Sequence, residues 1–414
     1  MKNKKLNLWL WKWHVIAGLI SAPFLILLAV TGGIYLFKEA YEGPKQEQII
    51  KVQPQVTHYS FEEQRKVADS ILGKPHNAMI LTSSKSKATQ FVSGRFGKKK
   101  SIYIDPYTNT ATGSIAASDG LMYKVRKLHG ELLLSTPGTL IVELIASWMV
   151  VLLITGLVIW WPARQWRLQG LFIPRFRQGK QILLQDLHAI TAFWISGLLL
   201  LVLAGAFPWT DVVGSNFKKV QAITNTGYPK SWMGIGLAKP SKRKSISLDQ
   251  IVEKAKVHNL PGTVQIDFPK GPAGVYSIGN TYHKDLSQQQ KFHYNQYTGT
   301  LVLQQNWDSV GILMRGRMWV MAFHQGQFGN WNWWLMFFVA LFLTLSSTAA
   351  ILSYFAKKPK GKWILPQVPQ HFVISPIVIA IIIILGILFP LFGMSALLLL
   401  ITEKIRSKYH RQYV

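Results

Sequence analysis

The chain has 414 residues, 49% of them hydrophobic, and carries 46 Lys and Arg against 18 Asp and Glu, a formal net charge of +28. Several apolar runs exceed the length of a membrane crossing, which excludes a soluble enzyme and points to a polytopic α-helical membrane protein. The absence of cysteine excludes disulfides, thiolate zinc sites, cysteine-ligated iron–sulfur clusters and c-type haem attachment, leaving His, carboxylate, Met or Tyr for metal chemistry.

The first apolar run covers Leu10–Phe37 and holds His14 just inside its start. It is too long for a signal h-region and no small-residue cleavage site follows, so it reads as a retained span. Further spans are expected at Leu140–Trp161, Leu187–Trp209 and Trp331–Phe355, and the last apolar region, Phe372–Ile401, contains Pro390. Thirty residues are few for two full crossings, so that region reads as one span or a short hairpin. The segments "MKNKKLNLWLWK", "PARQWRLQGLFIPRFRQGKQ" and "AKKPKGKW" carry Lys and Arg but no Asp or Glu. The positive-inside rule makes them cytoplasmic and puts the two long polar stretches outside. Topology and anionic lipid account for this basic charge, and a nucleic-acid partner is not needed.

The expected division is therefore 1–37, cytoplasmic N-terminus and first span; 38–139, an outer α+β module; 140–161, second span; and 162–186, a basic cytoplasmic loop. Then follow 187–209, third span; 210–330, a second outer module; 331–355, fourth span; 356–371, a basic loop; 372–401, the terminal span or hairpin; and 402–414, a basic tail. The order of signals repeats. "SFEEQRKVADSIL" and "KSIYIDPYTNTATGSI" in the first stretch match "SISLDQIVEKAKVHN" and "QKFHYNQYTGTLVL" in the second. Asp105-Pro-Tyr-Thr-Asn-Thr and Asn295-Gln-Tyr-Thr-Gly-Thr fall at the same place and share turn chemistry. The chain reads as internally duplicated, each half being span, module, span, and functional sites are expected between the halves.

The repeat pairs four membrane-edge histidines. His14 and His188 stand at the cytoplasmic starts of spans one and three, and His129 and His324 precede spans two and four on the outer side. Inheritance of a structural histidine through duplication would give the same pattern. The chemical alternative is that each pair clamps one metal. Two imidazoles across a helical bundle suit the axial positions of a b-type haem, and they are too few for a closed zinc site. Trp9, Trp11 and Trp13 flank the inner pair and Trp331, Trp333 and Trp334 the outer one, while Gly18, Gly32, Gly33, Gly156 and Gly197 leave room for close helix contacts. Lys12 and Arg164 inside, and Arg126, Lys127, Arg315 and Arg317 outside, are candidate partners of haem propionates. Glu143, a few residues into the second span, is a carboxylate that either hydrogen-bonds within the bundle or relays protons, the former being the simpler role.

Four stretches, "LHGELLL…TGLVIWWPARQW", "WKWHVIAGL…TGGIYLF", "YIDPYTN" and "FHQGQFG", together resemble the PepSY-associated transmembrane helix family, of the iron-regulated inner-membrane protein and siderophore reductase type. The resemblance covers nearly the whole chain. It implies a multi-pass protein of the bacterial inner membrane with a cytoplasmic N-terminus, two periplasmic PepSY-like modules and two haem b groups. By it, His14, His188, His129 and His324 are axial ligands, and the activity is reduction of a ferric siderophore in the periplasm with release of Fe(II). Tyr123, Arg126, Trp307, Arg315 and Arg317 are candidates for the substrate surface. No dinucleotide fingerprint is present, so electrons are expected from a cytoplasmic protein or membrane quinol. The competing expectation is a non-enzymatic anchor whose modules bind or regulate a periplasmic partner. A transporter is a more distant third, because the two halves run parallel.

Overall fold

The computed structural model describes residues 4–160, 168–357, 364–369 and 372–412. The first half comprises α1 (Lys4–Tyr35), α2 (Lys38–Ile50), α3 (Phe61–Leu72), β1 (Ala78–Leu81), β2 (Thr89–Ser93), β3 (Lys100–Ile104), β4 (Ala111–Ala116), α4 (Leu121–Glu131) and α5 (Thr136–Trp160). The second comprises α6 (Lys180–Ala206), α7 (Val212–Ile223), α8 (Leu248–Val257), β5 (Thr263–Asp267), β6 (Val275–Thr281), β7 (Gln290–Asn295), β8 (Leu301–Asn306), α9 (Ile312–His324) and α10 (Asn330–Lys357). The order of elements recurs, with α2 and α7 at the same place, directly after the first helix of each half. Among the described residues, four helices are long and apolar enough to cross a membrane: α1, α5, α6 with its continuation to Trp209, and α10. The chain is a multi-pass membrane protein.

Helices solve the membrane problem because all their backbone donors and acceptors are paired within the segment. The four pack about Leu25, Met149, Leu199, Leu203, Phe207, Met336 and Val339, while Ile20, Ile154, Leu200, Phe338 and Leu345 point outward, as lipid-facing side chains must. Beyond them α11 (Pro376–Leu388) and α12 (Pro390–Gln412) form a hairpin. Phe372 lies near Trp9 at the basic side, and the tip packs Phe389 on Phe207 at the opposite side. The return leg then binds α5, where the Trp148 indole N–H donates to Ser395 at 3.1 Å. Gly386 and Gly393 let the legs touch, since a Cβ on Gly393 would lie 2.8 Å from the Gly386 carbonyl oxygen.

The two polar stretches do not form separate modules, contrary to the expectation from sequence. Their strands join in one eight-stranded sheet of order β4-β3-β2-β1-β5-β6-β7-β8. The seam is the antiparallel pair β1–β5, with Met79 opposite Ile266 and Ile80 opposite Gln265. Each four-stranded half alone would expose an unpaired edge at β1 or β5, and pairing removes both edges at once. The apolar faces then share one core in which Phe91, Met79, Ile102, Leu248, Ile251 and Ile278 are all fully or almost fully buried.

Helices α3 and α8 lock the seam. Ser60 and Ser247 each begin a capping box, with Glu63 and Gln250 reaching back. The residue between does something the sequence pattern does not announce. Asp249 of α8 accepts the Phe61 and Glu62 amides at 2.8 and 3.3 Å, and Glu62 of α3 accepts the Leu248 amide at 3.2 Å. Each helix start thus receives a carboxylate from the other, where the macrodipole favours negative charge. The matched turns appear as expected. Asp105 and Asn295 each accept the amide two residues on, from Tyr107 and Tyr297, at 2.8 Å. Asn109 and Gly299 occupy the same left-handed position, with φ of 53° and 68°.

Glu143 fixes the sheet side of the bundle. It is fully buried on α5, and its two carboxylate oxygens accept the Val212 and Val213 amides, at 2.9 and 2.8 Å, at the start of α7. These amides have no partner inside their own helix, so the carboxylate completes the helix end and ties α7 to α5. Glu143→Leu is expected to destabilise the fold by about 1–3 kcal/mol through two stranded donors, and Glu143→Gln, which keeps one acceptor, by less. Thermal unfolding in detergent measures this, and a Leu variant as stable as the parent contradicts the capping role.

Candidate functional site

The spans bring the four histidines together in two pairs. His14 of α1 and His188 of α6 have ring centres 6.3 Å apart, and so do His129 of α4 and His324 of α9. Each ring is oriented by an oxygen on a neighbouring helix. His14 Nδ1 lies 2.9 Å from the Thr155 hydroxyl on α5. His188 Nδ1 lies 3.1 Å from the Ser346 carbonyl and 3.0 Å from its hydroxyl on α10. His129 Nδ1 donates to the Leu28 carbonyl on α1 at 2.9 Å, and His324 Nδ1 to the Val202 carbonyl on α6 at 2.8 Å.

These partners settle the tautomer. A carbonyl can only accept, so Nδ1 carries the proton in His129, His188 and His324. The Thr155 hydroxyl already donates to the Val151 carbonyl at 2.7 Å, so its oxygen accepts from His14 as well. All four rings therefore leave Nε2 unprotonated, and no described residue bonds to it. An imidazole held at one nitrogen by a backbone or hydroxyl oxygen, with the other nitrogen bare, is the form in which histidine binds metal.

Leu28 stands fourteen residues after His14, and Val202 fourteen after His188. The two layers are therefore offset by the same helical rise in both halves, about 21 Å. Close packing at the rings uses residues singled out in the sequence. A Cβ on Gly156 would lie 3.1 Å from His14 Cε1, and one on Gly32 would lie 3.2 Å from His129 Cε1. Gly18, Gly33 and Gly197 make no such approach to a histidine. The turn after His129 holds Leu132, Leu133 and Ser135 at φ of 49°, 60° and 56°, a left-handed run of non-glycine residues. Gly326 and Gly329 serve the corresponding turn after His324 without that cost.

The donor set fits a haem better than a bare ion. Among the described residues no group of three or more His, Cys, Asp or Glu could hold a metal, so each pair supplies two ligands only. A macrocycle would have to provide the other four. A metal bound by one imidazole nitrogen on each side, at roughly 2 Å per bond, places the ring centres about 6 Å apart, which is the spacing found.

The remaining candidates divide. Lys127 pairs with Glu131, and Arg315 with Asp308 at 3.1 Å. Arg126 sits 5.0 Å from the Tyr123 ring on α4, and Lys12 lies 5.6 Å from the Trp13 ring. Arg317 is buried against Trp209, 4.0 Å from the ring centre. Arg164 lies outside the described residues. Of the tryptophans, Trp333 donates to the Leu36 carbonyl and so pins the end of α1, while Trp331 and Trp334 are exposed.

Sequence reasoning missed a cleft of about 590 Å³ on the sheet side, bordered by Lys218, Asn225, Tyr228, Lys230 and Asp308. Trp307 and Arg315 adjoin it through Asp308, whereas Tyr123 and Arg126 form their own pair on α4. Burial pushes the Tyr228 hydroxyl above its ordinary range, partly offset by the Arg317 charge. The sequence signal for the cleft is weak: two lysines flanking a Gly-Tyr-Pro turn. Thr155 and Ser346 were missed too, although Thr155 directly precedes the nominated Gly156.

No curated protein matches the chain. Residues 11–357, which include all four histidines and the whole eight-stranded sheet, match the family model of the PepSY-associated TM region, and the chain belongs to that family.

Proposed function

We propose that this chain is a di-haem b reductase of the bacterial inner membrane, with its basic loops in the cytoplasm and the sheet in the periplasm. It passes electrons across the membrane to a ferric siderophore and releases Fe(II). The observation that carries the reading is the geometry of the pairs: twice over, two Nε2-bare imidazoles stand 6.3 Å apart, each held by a separate helix. His14 and His188 would hold one haem, and His129 and His324 the other. Bound there, a haem would supply one-electron transfer.

The chain's own residues supply position and environment. Thr155, Ser346 and the Leu28 and Val202 carbonyls fix ring orientation and keep Nδ1 protonated, which raises the basicity of Nε2. The apolar interior between the layers excludes water. The joint sheet and the cleft beside α9 would present the substrate on the periplasmic side, with Trp307 and Arg315 near its edge. Siderophores hold Fe(III) far more tightly than Fe(II), so one electron loosens the chelate without destroying it. The matching order of elements, helix caps, turns and histidine offsets in the two halves supports descent by internal duplication. Electrons would come from a cytoplasmic protein or membrane quinol.

The absorption spectrum of the purified protein, oxidised and then reduced with dithionite, is expected to show sharp haem b bands at about two haems per chain. A colourless protein, expressed with ample haem, sinks the reading and favours an anchor whose sheet binds a periplasmic partner. His129→Ala or His324→Ala should leave about one haem per chain, still reducible from the cytoplasmic side. Retention of both haems contradicts the pairing. Thr155→Val, nearly isosteric, should weaken haem retention at the His14 pair by roughly 10–100-fold, because it removes the oxygen that orients the ring. Haem content after dialysis against apomyoglobin measures it. Ferric siderophores added to the reduced protein should reoxidise the haems, and a spectrum unchanged by several chemical types would remove the reductase assignment.

A further inference from the structure

Arg317 is 7% exposed, and its Nε is buried without a hydrogen-bond partner. Among the described residues no carboxylate or carbonyl engages its guanidinium; the ring of Trp209 is its neighbour. Two residues earlier, Arg315 likewise has a buried Nε without a partner, but its Nη1 pairs with the Asp308 carboxylate. Tyr228, which interacts electrostatically with Arg317, turns its hydroxyl to Met318 Sδ at 2.9 Å. A buried cation with only an aromatic face beside it is under-compensated, so the site is built to receive an anion.

Position says which anion. Arg317 lies seven residues before His324 on α9, two helical turns, and therefore on the same side of the helix about 10.5 Å away. At the matching place in the first half, seven residues before His129, stands Met122, buried at 4%. An apolar side chain serves packing there. The charge on α9 is thus an addition to the duplicated frame, aligned with one ligand of the sheet-side histidine pair. We propose that Arg317 clamps a carboxylate of the group held by His129 and His324, fixing its rotation between the rings and biasing it toward the reduced state with a fixed positive charge. This rests on the haem reading above. An acidic chelate entering as substrate presents the same chemistry, and the resident group is favoured because Arg317 stands in line with His324 and is not among the residues that border the cleft.

The test compares wild type, Arg317→Met and Arg317→Lys as full-length protein in detergent, reading haem per chain and both midpoint potentials by optical redox titration. The sheet-side haem is assigned with the His324→Ala chain. Arg317→Met is expected to lower the sheet-side potential by about tenfold in the reduction equilibrium, ~59 mV for one electron, and to leave the other haem unmoved. The unmoved haem reports that the fold persists. If the Met chain does not fold, Arg317→Lys carries the test, because lysine cannot form a bidentate pair and a smaller downward shift is expected. Two haems with both potentials unchanged overturn the clamp while the haem reading stands. Wild type without haem overturns both. Unchanged potentials with lost binding of ferric citrate assign the guanidinium to substrate and overturn the clamp.

Discussion

The hydrogen bond from each histidine Nδ1 to an oxygen on an adjacent helix is the constraint on which the membrane part depends. It is a packing contact and a chemical setting at once. His14 joins α1 to α5, His188 joins α6 to α10, His129 joins α4 to α1, and His324 joins α9 to α6. In an apolar interior a polar side chain must find a partner, so these bonds help fix how the helices sit. Because the partners accept protons and do not give them, they also leave every Nε2 as a bare lone pair. A bundle held by ordinary apolar contacts alone would not choose that tautomer.

Outside the bundle, a different interaction imposes unity. Each half of the sheet has its own hydrophobic face and an edge that cannot be left open. Pairing β1 with β5 closes both edges, and the exchange of Glu62 and Asp249 between the starts of α3 and α8 holds the seam from the helical side. The consequence for function is mechanical. Helices α4 and α9, which end at or just beyond His129 and His324, are the direct continuations of β4 and β8, the two outer strands of one sheet. A rigid sheet therefore sets the distance between the helices that carry the sheet-side pair.

How far this was legible in the sequence depended on the range of the interaction. The spans, the helices that follow Ser60 and Ser247, and the turns at Asp105 and Asn295 rest on local signals and were read from them. The pairing of His14 with His188 and of His129 with His324 was readable for another reason, since equivalent positions in a repeat are brought to equivalent depths. The seam was not. Val264 opposite Leu81 is a contact across nearly two hundred residues, and four-residue strands carry no mark of their partner. Glu143 was legible as an oddity, but its role lay in the unpaired amides of α7, a helix with no side-chain cap of its own. Thr155 was hidden because a threonine in a span is ordinary until a histidine on another helix is known to face it.

Symmetry explains most of the molecule, and the departures from it carry direction. A frame with two equal halves has no preferred partner on its sheet side. The second half adds the lysine-bordered cleft at Tyr228 and a buried guanidinium where the first half keeps Met122. Both lie on the chain that leads to His324. Positive charge gathered on one side of one pair lowers the energy of added negative charge there, whether the charge is an acidic substituent, an incoming chelate or an electron. On the proposed di-haem reading, a fixed charge at Arg317 would favour an electron at the sheet-side pair over one at the other pair.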